Sequence, residues 1–465
     1  MPSGVSPIEF EYVRQRTLNI IYGFESRLSE TEISEYPSAS AKKLILVVRR
    51  ILNATDTRVK SSSDLNTILR YFQLVTFLSP VLDFLDNAKT EQTPRGLVKL
   101  IEQLIGNGVE IIASPQSEFN YSVLIITNAI KEAIENSFDK NEKDQIFNDI
   151  PEIRLVRFPR IQRDNILLHT IFGHEIGHDT ADKYLIYDQS TPEYNKQLQL
   201  AHSEILKIIQ SDPTYIKSNK TEKLKILNAN VQTVLKIRDR ALQELVSDSV
   251  CITMLGPAGL FGLYDLFIVG GNIDQPPMRD EFYPPSRYRI RWMFQILEKG
   301  GYFTELRDLK KHNVDEKISV AFTNFISNFE DIIKIDNDIK NINSQPLIKI
   351  AYQWIENIAD ATKKYVENEI KKLTYDPKLI AERVPNSISR LCCSVPANEI
   401  GLYPSMQRSD WVSAILAGWI IKAASKFTND VSPLVTDITD EALQGLTLAA
   451  IEYTTLTKDY ENWNN

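Results

Sequence analysis

RDNILLHTIFGHEIGHDTADKYL, residues 163–185, is the stretch on which the reading of the whole chain turns. Asp164 can serve as an N-cap and few breakers follow, so the segment predicts a helix that carries His174, Glu175 and His178. Residues four apart share a helix face, whereas Glu175 is rotated by about 100° from His174. Two imidazoles so placed can hold one zinc ion, and the glutamate can then reach a metal-bound water without ligating the metal. The same five residues, HEIGH, also suit a helix surface with two solvated histidines, or histidines bonded inside a core. A catalytic zinc site needs a third protein ligand and one open position, so the deciding residue must lie elsewhere.

A third histidine is not adjacent, because Ala181 and Tyr184 occupy the positions that would extend the motif to HExxHxxGxxH. Farther on, KIRDRALQELVSDSVCITML (236–255) reads as a second helix, with Glu244 and Asp248 on one face. A glutamate there could complete a His, His, Glu set, and an aspartate one turn later could accept the spare N–H of a ligand histidine. HEIGH followed by ELVSD resembles the gluzincin clan of zinc metallopeptidases, whose signature is HExxH on one helix and ExxxD on another. The resemblance implies a Zn2+ cofactor held by His174, His178 and Glu244, with Glu175 as general base and Asp248 holding the His174 ring. The long gap between the motifs implies a helical insertion over 186–235, which contains PEYNKQLQLAHSEILKIIQ (192–210) and a helix start after Lys220. Its His202 fits the polar face of an amphipathic helix, His169 points away from His174, and His312 reads as a solvated loop residue.

EFYPPSRYRIRWMFQIL (281–297) places Tyr283, Pro284 and Arg289 in the order Y-P-x-x-x-x-R. It is similar to the H-P-x-x-x-x-R segment of the CAAX prenyl protease and HtpX-like branch of the gluzincins, with tyrosine in the place of histidine. That resemblance implies that Tyr283 and Arg289 face the substrate, with the phenol donating to a developing oxyanion. Read from the residues alone, the segment equally suits a Tyr-Pro turn before a helix whose arginine pairs with a carboxylate.

The flanks predict helices: 9–28, 39–52, 64–85 and 95–105 before the motif region, and 316–340, 345–373, 410–426 and 441–460 after it. SEFNYSVLIITNAIKEAIENSF (117–138) is open between strand and helix at its start, and RVPNSISRLCCSVPANEIGLYP (383–404) reads as a long connection. IRLVRFPR (153–160) suits a short strand that could offer an edge to an extended peptide. The expected fold is mainly α, a multi-helix metallopeptidase domain with at most a small β element near the active-site helix. Its divisions are an N-terminal helical region (1–150), a zinc metallopeptidase core (151–300) and a C-terminal helical region (301–465).

A net charge of −8 argues against nucleic acid as a partner, since phosphate binding needs a basic surface. Cys251, Cys392 and Cys393 suggest neither a disulfide framework nor a Cys-based zinc site. VCITMLGPAGLFGLYDLFIVGG (250–271) has the length of a membrane span, but Gly256-Pro257 and Gly270-Gly271 would break it, so a buried helix–turn–helix and no membrane are expected. The start lacks the basic end and apolar run of a cleaved leader, which makes a cytoplasmic protein the expectation. The predicted activity is hydrolysis of a peptide or protein substrate. The competing class is a non-catalytic scaffold that keeps the zinc or only the fold.

Overall fold

Apolar residues recurring every three to four positions become helices along most of the chain. The computed structural model describes residues 7–106, 109–269, 273–274, 282–400, 407–427 and 438–464. It divides into two units, Met1–Asp164 and Asn165–Asn465. The architecture is mainly α with a small β element, as expected.

In the first unit, α1 (Pro7–Glu32), α2 (Ser40–Ser61), α3 (Leu65–Leu78), α4 (Pro80–Asn87) and α5 (Arg95–Ile105) precede β1 (Glu110–Gln116) and β2 (Ser122–Ile125). Then come α6 (Ile126–Ile134), α7 (Lys140–Ile146) and β3 (Ile153–Pro159). The ambiguous stretch is therefore strand and then helix, with the change at Ile125–Ile126. Leu28, Leu44, Val48, Ile51, Leu85 and Leu155 share one core. Across Pro80, Leu65–Asn87 is the one helix among the described residues that is long and apolar enough, by length and composition, to cross a membrane. Here its Ile68, Val75, Leu78 and Leu85 are buried in that core.

β3 is the central strand. It pairs parallel with β1 and antiparallel with β2, in the order β1-β3-β2. This corrects the expectation that IRLVRFPR offers an edge to a peptide, because both of its backbone edges already carry a partner. It also moves the first division of the chain. β3 belongs to the sheet of the first unit, so the boundary falls after Asp164 rather than at residue 150.

The second unit opens with a 3-10 turn, Leu168–Ile171, and α8 (Phe172–Gln189). The predicted helix thus begins later than expected, and Asp164 does not cap it: Asp164 pairs with Arg163, and the Asn165 side chain accepts from the Leu168 amide. After α8 come α9 (Pro192–Ile209), α10 (Pro213–Lys217) and α11 (Lys220–Leu255). The stretch 186–235 is helical apart from short turns, as its pattern implied. It merges into a single helix of 36 residues, started by a capping box between Asn219 and Glu222. Gly256, at φ 56°, ends α11 and admits the turn into α12 (Pro257–Val269). The apolar stretch is therefore a helix–turn–helix, buried from Val250 to Leu263, while Gly270-Gly271 lies outside the described residues.

The remaining elements are α13 (Ser286–Lys299), α14 (Tyr302–Arg307), α15 (Glu316–Lys334), α16 (Asn337–Asn343), α17 (Pro346–Glu369) and α18 (Lys378–Cys392). A two-stranded ribbon, β4 (Glu399–Ile400) with β5 (Gln407–Arg408), leads to α19 (Trp411–Phe427) and α20 (Asp440–Asn464). Residues 383–392, expected as part of a connection, lie inside α18 despite Pro385, and 401–404 fall outside the described residues. Residues 301–465 form no unit of their own, because α17 packs along α11 and α9, and α19 against α12.

The packing that matters most to the motif is that of α8 on α11. A Cβ at Gly177 would stand 2.7 Å from the Ser247 Cα, and one at Gly173 would stand 3.1 Å from the Cys251 Sγ. Two glycines four apart let the helix backbones approach until the faces bearing the histidines and the carboxylates meet. Gly177→Ala should therefore lower stability by about 1–3 kcal/mol, the usual cost of overpacking, although alanine is the better helix former by about 1 kcal/mol. A thermal melt of the metal-free variant checks this, and an unchanged or raised melting temperature would contradict it.

Candidate metal centre

α8 brings His174 and His178 together with ring centroids 4.9 Å apart, and α11 supplies Glu244, Ser247 and Asp248. One ligand atom each from His174, His178 and Glu244 lies within 4.8 Å of the others, the single such group of His, Cys, Asp or Glu among the described residues. Ligand atoms around a tetrahedral zinc sit roughly 3.4 Å from one another. His174 Nε2 and Glu244 Oε2 are already 3.4 Å apart, so the donor set fits a zinc ion with small side-chain rotations.

Each histidine is held through its other nitrogen. His174 Nδ1 lies 2.9 Å from Asp248 Oδ1, where it donates to the carboxylate. The Ser247 hydroxyl donates to the Gln243 carbonyl at 2.7 Å, so its oxygen accepts from His178 Nδ1 at 3.1 Å. Both Nε2 atoms are thereby turned toward the position a metal would take, where His174 would give up its Nε2 proton on binding one. Asp248 takes the position that the resemblance implied. Ser247 was missed, and its signal was available: it stands three residues after Glu244, on the same helix face.

Of the two readings of its segment, Arg289 takes the one in which it pairs with carboxylates. It is only 7% exposed, its Nε and Nη2 donate to Asp248 at 2.8 and 2.7 Å, and its Nη1 lies 3.1 Å from Glu244 Oε2. Phe267 covers its guanidinium at 4.7 Å. The reading of Arg289 as a substrate-facing group is corrected: it is a buried clamp on two carboxylates, because α13 delivers it beneath them. Tyr283 is 40% exposed, and its hydroxyl accepts from Arg240, which in turn lies 3.2 Å from Glu244 Oε1. The tyrosine is thus connected to the cluster through Arg240. Glu175 is half-buried beside it.

The charges follow from this wiring. Burial alone would depress His174, but hydrogen bonds to Asp248 and Glu244 outweigh it and raise the imidazolium to about 9. Burial, reinforced by the charge on His174, pushes His178 down to about 4. Burial opposes ionisation of Glu244 and Asp248, yet Arg289 prevails and holds each at about 2. Burial raises the Glu175 carboxyl, the direction that suits a proton acceptor.

The other histidines lie outside the cluster. His169 stacks on Phe172 at 5.6 Å, His202 sits on α9, and His312 approaches Glu305 at 3.6 Å. No protein-family profile, curated protein or solved structure matches the chain.

Proposed function

We propose that this chain is a zinc-dependent peptidase of the gluzincin type, acting on peptide or protein substrates. The observation that carries the reading is the convergence of His174, His178 and Glu244, with Asp248 and Ser247 fixing the two rings. A zinc ion held by those three residues would polarise the scissile carbonyl and acidify water. Glu175 accepts the proton of the attacking water and returns it to the leaving amine. Arg289 keeps Glu244 and Asp248 ionised, so the ligand carboxylate and the orienting carboxylate stay in their working states. Tyr283, through its hydroxyl proton, donates to the oxyanion as it forms.

Digestion of a peptide library by the zinc-loaded protein tests the reading. Cleavage should stop on chelation and return with added zinc, and Tyr283→Phe should lower kcat by about 10²–10³ while zinc content holds. Cleavage that persists in chelator would remove the metal from the mechanism, and a fully active Tyr283→Phe protein would remove the phenol.

A further inference from the structure

Two arginines meet at Glu244, and they differ in what else they can reach. Arg289 is buried, with donors directed at Asp248 and Glu244. Arg240, one turn before Glu244 on α11, keeps 32% of its side chain exposed. It approaches Glu244 Oε1 at 3.2 Å, donates to Gln243 Oε1 at 3.1 Å, and holds the Tyr283 hydroxyl with its guanidinium 4.2 Å from that ring's centre. Of these three partners only Glu244 is an anion, and Arg289 shares it. The nearby Asp182 is engaged by the Gln243 amide at 3.1 Å.

Loading the site changes this balance. The carboxylates of Glu175, Glu244 and Asp248 face two guanidiniums and, on the peptidase reading, a divalent ion with both histidines neutral. One positive charge is left over. Of the groups in that set, Arg240 is the cation that reaches solvent, and a planar guanidinium matches a carboxylate in two-point contact. We propose that Arg240 binds a carboxylate of the substrate and selects peptides with an acidic group close to the scissile bond. This inference rests on the metallopeptidase reading. The carboxylate can come from an Asp or Glu side chain, which makes the protein an endopeptidase with acidic preference, or from a chain terminus, which makes it a carboxypeptidase.

Equilibrium binding of hydroxamates to the zinc-loaded protein separates these sources. One series carries the hydroxamate at the N-terminal end of a leucyl-glutaminyl amide, and a second carries it at the C-terminal end of a blocked leucyl-glutaminyl scaffold. Each has a neutral member and a member with Glu replacing Gln. The first series adds a neutral side chain with a free C-terminal carboxylate. At least one carboxylate member should bind wild type about tenfold more tightly than its neutral counterpart. Arg240→Gln should abolish that difference and Arg240→Lys keep part of it, with zinc content and melting temperature close to wild type. The member that gains identifies the source of the carboxylate. Equal affinities across both series for wild type, or a preference that survives Arg240→Gln, would overturn the assignment. If the neutral members themselves do not bind, the metallopeptidase reading fails and takes the assignment with it. If they bind without charge preference, only the role of Arg240 falls.

Discussion

Glu175→Gln should retain zinc and lose peptide hydrolysis by several orders of magnitude. The substitution is nearly isosteric and leaves His174, His178 and Glu244 in place, so binding of the metal has no reason to change. An amide does not accept the proton of the attacking water at neutral pH, and general-base assistance alone contributes typically 10²–10⁴ in rate. The return of that proton to the leaving amine is lost as well. Measuring kcat/KM and zinc content on the same preparations separates catalysis from assembly. Unimpaired turnover would remove Glu175 from the mechanism, and loss of zinc would make it part of the metal site instead.

The second large effect belongs to Arg289→Met, and it falls on stability. Removing the guanidinium leaves the buried Asp248 with His174 as its remaining charged partner, and Glu244 with His174 and the flanking Arg240. Breaking a buried pair by deleting one partner typically costs about 3–5 kcal/mol. The metal-free variant should show that loss in chemical denaturation, and zinc should restore part of it, because a divalent ion supplies positive charge at Glu244. The pH dependence has a definite sign. Glu244 and Asp248 are held at about 2 in the fold, so in the metal-free protein their contribution is present above the ordinary carboxylate range near 4 and is lost as pH falls toward 2. In Arg289→Met that acid-side slope should shrink. His174 acts oppositely: raised to about 9, it stabilises the metal-free fold below its ordinary value near 6.5, and this is lost as pH rises through about 9. A variant as stable as wild type would refute the buried-clamp role.

These effects show which parts of the site could be read from the sequence. The spacing of His174 and His178 fixes a shared helix face, and that of Glu244 and Asp248 fixes another, so the four residues were legible as two pairs. Their meeting was not, because it depends on how close α8 comes to α11, and that is set by Gly173 and Gly177 against Cys251 and Ser247. Glycines inside a helical pattern give no measure of how closely a second helix approaches until the facing backbone is known. Arg289 was legible as an arginine near the site, but whether it faces a substrate or a carboxylate depends on burial, which periodicity on α13 does not specify. The strand at 153–159 was legible from its alternation. Its central place in the sheet was not, since a single strand's pattern carries no record of how many neighbours it has. The start of α8 was misjudged because Asp164 is a good cap by type, whereas the chain uses Asn165 to begin a 3-10 turn instead.

The central claim is that His174, His178 and Glu244 form one metal site, and zinc titration of metal-free protein tests it most directly. Wild type should take up close to one zinc ion per chain, Glu244→Ala should weaken uptake severely, and His202→Ala on α9 should match wild type. If His202→Ala abolished uptake while Glu244→Ala left it intact, the assignment would be contradicted.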